Sequence, residues 1–216
     1  MHVVIAGGHG KIALILERML AARGDSVTGL VRDPGHLDDV ASTGASGVVL
    51  DLESSGRDEV VRQLEGADAV VFAAGAGPGS GAARKDTVDR AAAVLLADAA
   101  EAARVPRFLQ ISAMGLERAA DEGMDEVFSA YLRAKAAAEE DLRSRNLDWT
   151  ILRPGRLTDD PGAGRVRLAE RVDPGQVSRT DVAAVLLELL GSGAARRKTL
   201  ELVGGDTPVA EAVAAI

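Results

Sequence analysis

Five short runs of β-branched and other apolar residues decide the architecture open to this chain. His2–Ala6, Ser26–Val31, 47–50, 69–73 and 108–112 each end in a turn and pass into a stretch of helical periodicity. A strand repeatedly followed by a helix needs a crossover, so this order implies a parallel sheet. Within VVIA, GVVL and AVVFAA the apolar residues are consecutive rather than alternating, as strands covered on both faces require. The expected fold is therefore α/β, a doubly wound parallel sheet. Lys11–Arg23 carries Ile12, Ile15, Leu16, Met19 and Leu20 as one helical stripe, and Gly24 supplies the stop. Residues 84–104 and 125–145 read as two further long helices, and 149–152 as a sixth strand halted by Arg153-Pro154-Gly155. The pattern then loosens, until a helix over 180–190 with Asp181 near its N-cap, a strand over 199–203 and a closing helix over 208–215.

Composition removes several function classes. A chain of 216 residues with net charge −8 suits one domain rather than two. Three Phe, one Tyr and one Trp leave almost no stacking platform for single strands, and the acidic balance opposes duplex binding, so no nucleic-acid partner is expected. With no Cys and three His (His2, His9, His36) at no ligand spacing, no metal site is expected. No uncharged apolar stretch approaches the roughly 18 residues of a membrane helix, and the N-terminus lacks a basic leader. A cytoplasmic protein without membrane attachment is the expectation.

The turn Gly7-Gly8-His9-Gly10-Lys11-Ile12-Ala13 closes the first strand and opens the first helix. It reads as GxGxxA from Gly8 or as GxxGxxA from Gly7. Either way, missing Cβ atoms let backbone approach a pyrophosphate, the free N–H groups of a helix N-terminus face it, and Ala13 lets helix and strand pack closely. The alternative is a plain strand-to-helix turn. His9, Lys11 and Ile12 fall inside the turn, where His9 is placed for phosphate or loop backbone rather than for catalysis. At the end of the second strand, where an acid would bond the ribose 2′-hydroxyl of NAD, stands Arg32, whose fork suits a 2′-phosphate; Asp33 beside it points the other way. NADP is thus expected ahead of NAD. Asp51 and Leu52 after the third strand fall at the adenine edge, and Ala73, Ala74 and Gly75 after the fourth are small enough for a cofactor to cross the sheet.

The single tyrosine, Tyr131, precedes Lys135 by four residues. On a helix this spacing puts both on one face, where an ammonium can lower a phenol's pKa toward working pH. Such a phenol can exchange a proton with a carbinol oxygen while hydride moves to or from nicotinamide. A partly buried Tyr beside a snorkelling Lys is the structural alternative.

Taken together, the glycine turn, Ala73-Ala74-Gly75, the strand Phe108-Leu109-Gln110-Ile111-Ser112, Tyr131-x-x-x-Lys135 and the run Leu147 to Gly155 resemble an atypical short-chain dehydrogenase/reductase. More narrowly, the chain resembles the compact NAD(P)-binding branch related to NmrA-like proteins and sugar-nucleotide epimerases. The resemblance implies a Rossmann fold, with Gly7, Gly10 and Ala13 at the pyrophosphate, Arg32 at the adenosine phosphate, and Asp51 and Leu52 at adenine. It also implies Lys135 at the nicotinamide ribose, Pro154, Gly155 and Arg156 over the carboxamide, and Tyr131 as acid/base. Where relatives carry the catalytic Ser or Thr this chain has Ala113, leaving Ser112 one position back, or Ser129, as substitutes.

Some 60 residues follow Gly155, too few for the substrate domain of sugar-nucleotide enzymes. Residues 156–180 and the C-terminal segment are therefore expected to form a reduced substrate cover, with glycine-rich loops 75–81 and 158–165 as lids. The implied function is an NADP(H)-dependent reductase of a small carbonyl, quinone or flavin-like substrate. A non-catalytic NADP-binding sensor is the alternative and a sugar-nucleotide epimerase or dehydratase the third reading. A monomer or a homodimer is expected.

Overall fold

The computed structural model describes residues 1–77 and 79–216. Six strands alternate with helices: β1 (His2–Ala6), α1 (Lys11–Arg23), β2 (Ser26–Val31), α2 (Leu37–Ala41), β3 (Ser46–Val49), α3 (Arg57–Leu64) and β4 (Ala69–Phe72). α4 (Ala82–Arg84) then runs through a π-helical segment, Lys85–Ala91, into α5 (Ala92–Ala102), and is followed by β5 (Arg107–Ile111), α6 (Glu126–Ser144) and β6 (Asp148–Pro154). The remainder comprises β7 (Arg156–Thr158), β8 (Arg165–Ala169), β9 (Gln176–Ser178), α7 (Arg179–Ser192), β10 (Lys198–Gly204), β11 (Thr207–Pro208) and α8 (Val209–Ala214).

The main sheet has the order β3-β2-β1-β4-β5-β6-β10-β8-β11. Every pairing from β3 to β10 is parallel, and β8 joins β10 and β11 antiparallel. The sheet is a doubly wound one whose order reverses between β1 and β4. That reversal leaves a crevice at the strands' carboxyl ends, where ligands of such sheets bind.

Consecutive apolar residues do what the sequence predicts. Val3 and Ile5 pack on one face with α1 and α7, while Val4 and Ala6 pack on the other with α3 and α5. Each such fully buried Val or Ile contributes about 1.5–3 kcal/mol relative to exposure. The expected single helix over 84–104 is instead interrupted, since the wider π turns bury Lys85, Val88 and Asp89 together. The glycine-rich loop 158–165 is tied to α1 and α7 by side-chain contacts. Asp159 pairs with Lys11 (2.6 Å) and Arg179 (2.7 Å), and Asp181 accepts hydrogen bonds from the amides of Ala163 and Gly164. Ser178 caps α7, and Asp181, expected near the cap, stands three residues inside it. Pro78, in the other expected lid, lies outside the described residues.

One buried acid faces the glycine turn from below. Glu17 in α1 is fully buried, with Thr43 Oγ1 3.3 Å from Oε2 and no partner on Oε1. Burial pushes its pKa up to about 8. The folded state thus keeps a proton that the unfolded chain releases above its ordinary value of 4.5, so stability falls as pH rises through that window and the full cost is reached above about 8. Glu17→Gln is expected to raise stability at pH 8 by on the order of 3 kcal/mol and by little near pH 4.5. Urea melts at the two pH values measure this, and equal gains at both would refute it.

Candidate functional site

The crevice at the sheet's reversal holds two adjoining cavities, of about 290 and 550 Å³, that share Ala73, Ala74 and Gly75. The first is built from the carboxyl ends of four strands. Gly7, His9 and Gly10 line it after β1, Leu30 to Arg32 at β2, Leu50 to Glu53 after β3, and Ala73 to Gly75 after β4. Gly7 has φ +82°, and a Cβ there would lie 2.7 Å from the Ala74 backbone. Gly10 donates its amide to the Gly7 carbonyl at 2.8 Å and stands at the N-cap of α1 with no side chain over the helix end. The first-turn N–H groups of α1 therefore have no capping side chain to satisfy them, and a phosphate is the complement such a helix end accepts. Gly8 is not among the lining residues, because it lies against Gly29 of β2. The GxxGxxA register is thus the one that puts its glycines, Gly7 and Gly10, on the cavity, and the cradle fits a dinucleotide pyrophosphate.

Arg32 lines this cavity with its side chain largely exposed. Asp33 does not line it: its carboxylate accepts from the Gly35 amide at 2.8 Å and so belongs to the turn over Pro34–His36. Besides Asp51, the cavity has an acid here that sequence reading missed, Glu53. It accepts from Arg84 (2.5 Å) and Thr87 (2.7 Å), with Arg32 at 3.8 Å. His36, also missed, stacks on His9 with ring centroids 3.6 Å apart, and His9 pairs with Asp39 at 2.7 Å.

The second cavity gathers Ile12, Ser112, Tyr131 and Lys135, residues 12 to 135 in sequence. Ser112 follows β5, and its buried hydroxyl has no hydrogen-bond partner. Ser129 cannot substitute for it, because its hydroxyl donates to the Ala119 carbonyl. Lys135 is held by the Ile111 carbonyl (3.2 Å) and forms a buried ion pair with Asp89 (3.2 Å), whose other oxygen accepts from the Ala76 amide. Asp89 gave no signal in sequence, since a charged residue in a helix reads as solvated.

That pair corrects the expected electrostatics. Lys135 Nζ lies 5.9 Å from the centre of the Tyr131 ring, but Asp89 offsets its charge. Burial, and after it the Asp89 carboxylate, push the Tyr131 pKa up to about 12 rather than down. Pro154, Gly155 and Arg156 line neither of these cavities. Gly155 abuts Gly175, and the Arg156 side chain is exposed and bonded to Gln176; Leu157 is what reaches the second cavity. Lys11 lies outside both as well, turned to Asp159. Among the described residues no group of three or more His, Cys, Asp or Glu could hold a metal, and no helix is long and apolar enough to cross a membrane.

A glycine cradle under the helix N-terminus at the reversal of a doubly wound sheet defines a dinucleotide-binding Rossmann domain. The chain belongs to the NAD(P)H-binding family, whose model matches residues 7–192. It is 33% identical to the "Uncharacterized sugar epimerase YhfK" of Bacillus subtilis, over 99% of both chains. Among solved structures it is similar to a candidate NAD-dependent epimerase/dehydratase from Bacillus halodurans, with TM-score 0.91, 32% identity and full coverage of both chains. It also shares its fold with ChuY, an anaerobillin reductase from Escherichia coli O157:H7, with TM-score 0.81, 23% identity and coverage of 95% of this chain and 98% of that one.

Proposed function

We propose that the protein is an NADP(H)-dependent oxidoreductase that reduces a small carbonyl, quinone or flavin-like compound. The observation that carries this reading is the unpartnered Ser112 hydroxyl beside Tyr131 and Lys135, in a chamber that opens through Ala73–Gly75 into the dinucleotide groove. When bound, the nicotinamide supplies hydride to the substrate carbonyl carbon. Tyr131, with its pKa near 12, keeps its proton across the neutral range and gives it to the carbonyl oxygen, since a developing alkoxide is a stronger base than the phenolate left behind. Ser112 donates a hydrogen bond to the same oxygen. Lys135 donates one hydrogen bond, to the Ile111 carbonyl, and meets Asp89 Oδ1 as an ion pair without a hydrogen bond, so N–H donors are left for a ribose hydroxyl. A phenol so weakly acid is almost wholly protonated near neutrality, so little phenolate is present to take a proton from an alcohol, which favours reduction over alcohol oxidation there. Of the reduced substrate cover expected over 156–180, Leu157 is the residue that lines the chamber.

The fold shared with a reductase supports this chemistry. The sugar-epimerase name of the Bacillus subtilis relative favours a nucleotide-sugar instead. Against that, Leu157 is the one residue beyond Gly155 that lines either cavity, so little of the described chain would grip a sugar nucleotide. The cofactor choice rests on Arg32 and on the withdrawal of Asp33 into its own turn. Paired calorimetric titrations test it: NADPH is expected to bind more tightly than NADH, and Arg32→Ala to weaken NADPH by about tenfold while barely changing NADH. Tighter NADH binding that survives Arg32→Ala contradicts the assignment. A non-catalytic sensor is favoured by Ala113 and by the neutralised Lys135; steady NADPH consumption with any carbonyl, quinone or flavin rejects it.

A further inference from the structure

Lys85 is a buried cation with no role in the chemistry above. It opens the π-helical segment Lys85–Ala91, is 9% exposed, and lines the substrate chamber. Its Nζ donates to the Gly77 carbonyl at 2.9 Å and lies 5.4 Å from the centre of the Tyr131 ring. Among the described residues no carboxylate lies within 4.0 Å of it. Other buried cations are compensated: Lys135 by Asp89, Arg145 by Asp98, Glu101 and Asp141, and Arg107 by four oxygen acceptors. Its ammonium faces the chamber with two donors unused, and a ligand's acceptor oxygens would complete it. Asp125, the other carboxylate of the chamber besides Asp89, is exposed at the rim and accepts the Phe128 amide as the cap of α6.

The rim carries a second feature that points to the same ligand. Phe128, 47% exposed, is one of the chain's few exposed large apolar side chains, and it stacks toward Tyr131 with centroids 5.9 Å apart and planes inclined by 26°. Phe128 and Lys85 line the same chamber, 5.9 and 5.4 Å from the centre of the Tyr131 ring, so one compound can offer a ring to the first and a charged substituent to the second.

We infer that the substrate chamber selects flat aromatic compounds bearing an anionic group, with Lys85 binding the anion and Phe128 the ring. This deepens the reductase reading by naming the substrate class, and it rests on that reading only for what happens after binding. An anion on Lys85 also sits beside the Tyr131 ring, which places the substrate's ring system next to the proton donor.

Calorimetric titration of the NADP⁺-loaded protein with 2-naphthoate and with 2-naphthamide, equal in shape and different in charge, tests the inference without requiring turnover. The carboxylate is expected to bind about tenfold more tightly than the amide, as a charge-assisted hydrogen bond does over a neutral one. Lys85→Gln should bring the two to within about twofold, Lys85→Arg should keep the preference, and Phe128→Ala should weaken both alike. Equal binding of the two compounds, a preference that survives Lys85→Gln, or binding of neither overturns it. The NADP⁺ titration made on the same samples separates the two readings. Failure to bind NADP⁺ counts against the oxidoreductase, whereas good cofactor binding without a naphthoate preference counts against the anion site alone.

Discussion

Tyr131→Phe is expected to lower kcat for carbonyl reduction by about 100- to 10,000-fold while leaving the NADPH dissociation constant within about twofold of wild type. Tyr131 lines a chamber that also holds Ser112 and Lys135, so removing its one oxygen takes away the proposed proton donor and leaves the packing of α6 intact. The rate should also report the elevated pKa. Because burial and Asp89 keep Tyr131 protonated up to about pH 12, its contribution to reduction stays constant between about pH 6 and 9. The reverse oxidation needs the phenolate and should climb about tenfold per pH unit over the same range. Steady-state rates in both directions, for wild type and Tyr131→Phe, measure this. Undiminished reduction by the Phe variant would remove Tyr131 from the chemistry.

Arg107→Ala should cost about 3–5 kcal/mol of stability, more than any surface ion pair in the protein. This side chain at the start of β5 is buried, and its guanidinium reaches three elements at once. It donates to the Asp148 carbonyl (2.9 Å) and Thr150 hydroxyl (2.8 Å) of β6, to the Leu189 carbonyl in α7 (3.1 Å), and to the Ala194 carbonyl just past that helix (3.1 Å). Burial, with Arg196 nearby, pulls its pKa down to about 10, so it stays charged at neutral pH. Alanine would leave those acceptors buried without donors at the join between the nucleotide half of the sheet and its C-terminal part. The midpoint of urea unfolding measures the loss. Lys retains the charge but not the fork, so Arg107→Lys should fall between the two.

β1, β2 and α1 are legible to the residue, because an unbroken apolar run, a glycine turn and an amphipathic stripe are all local signals. β3, β4 and β5 differ from expectation by one residue at their ends, and β6 extends to Pro154 because β10 pairs along its length. The short strands β7, β8, β9 and β11 escaped notice, since two to five residues with mixed polarity carry no periodicity and their pairings are set by the chain around them. The candidate site divides in the same way. Gly7, Arg32, Asp51, Ser112, Tyr131 and Lys135 could be placed because each follows a strand or keeps a helical spacing. Asp89, Lys85 and Glu53 could not, since a charged residue in sequence reads as a solvated one until the fold buries it or gives it a partner. Glu53 meets Arg84 across 31 residues, and Asp89 meets Lys135 across two helices. The expected lowering of the Tyr131 pKa failed chiefly because the fold buries the phenol, and after that because the Asp89 carboxylate, unlike Lys135, was not visible in the sequence.

The most direct test is a crystal structure of the protein with NADP⁺ bound. The expected result has the pyrophosphate on Gly7 and Gly10, the 2′-phosphate within hydrogen-bonding reach of Arg32, and the nicotinamide in the chamber of Ser112, Tyr131 and Lys135. A nicotinamide lying outside that chamber, or a dinucleotide bound away from the β1–β4 crevice, would contradict it.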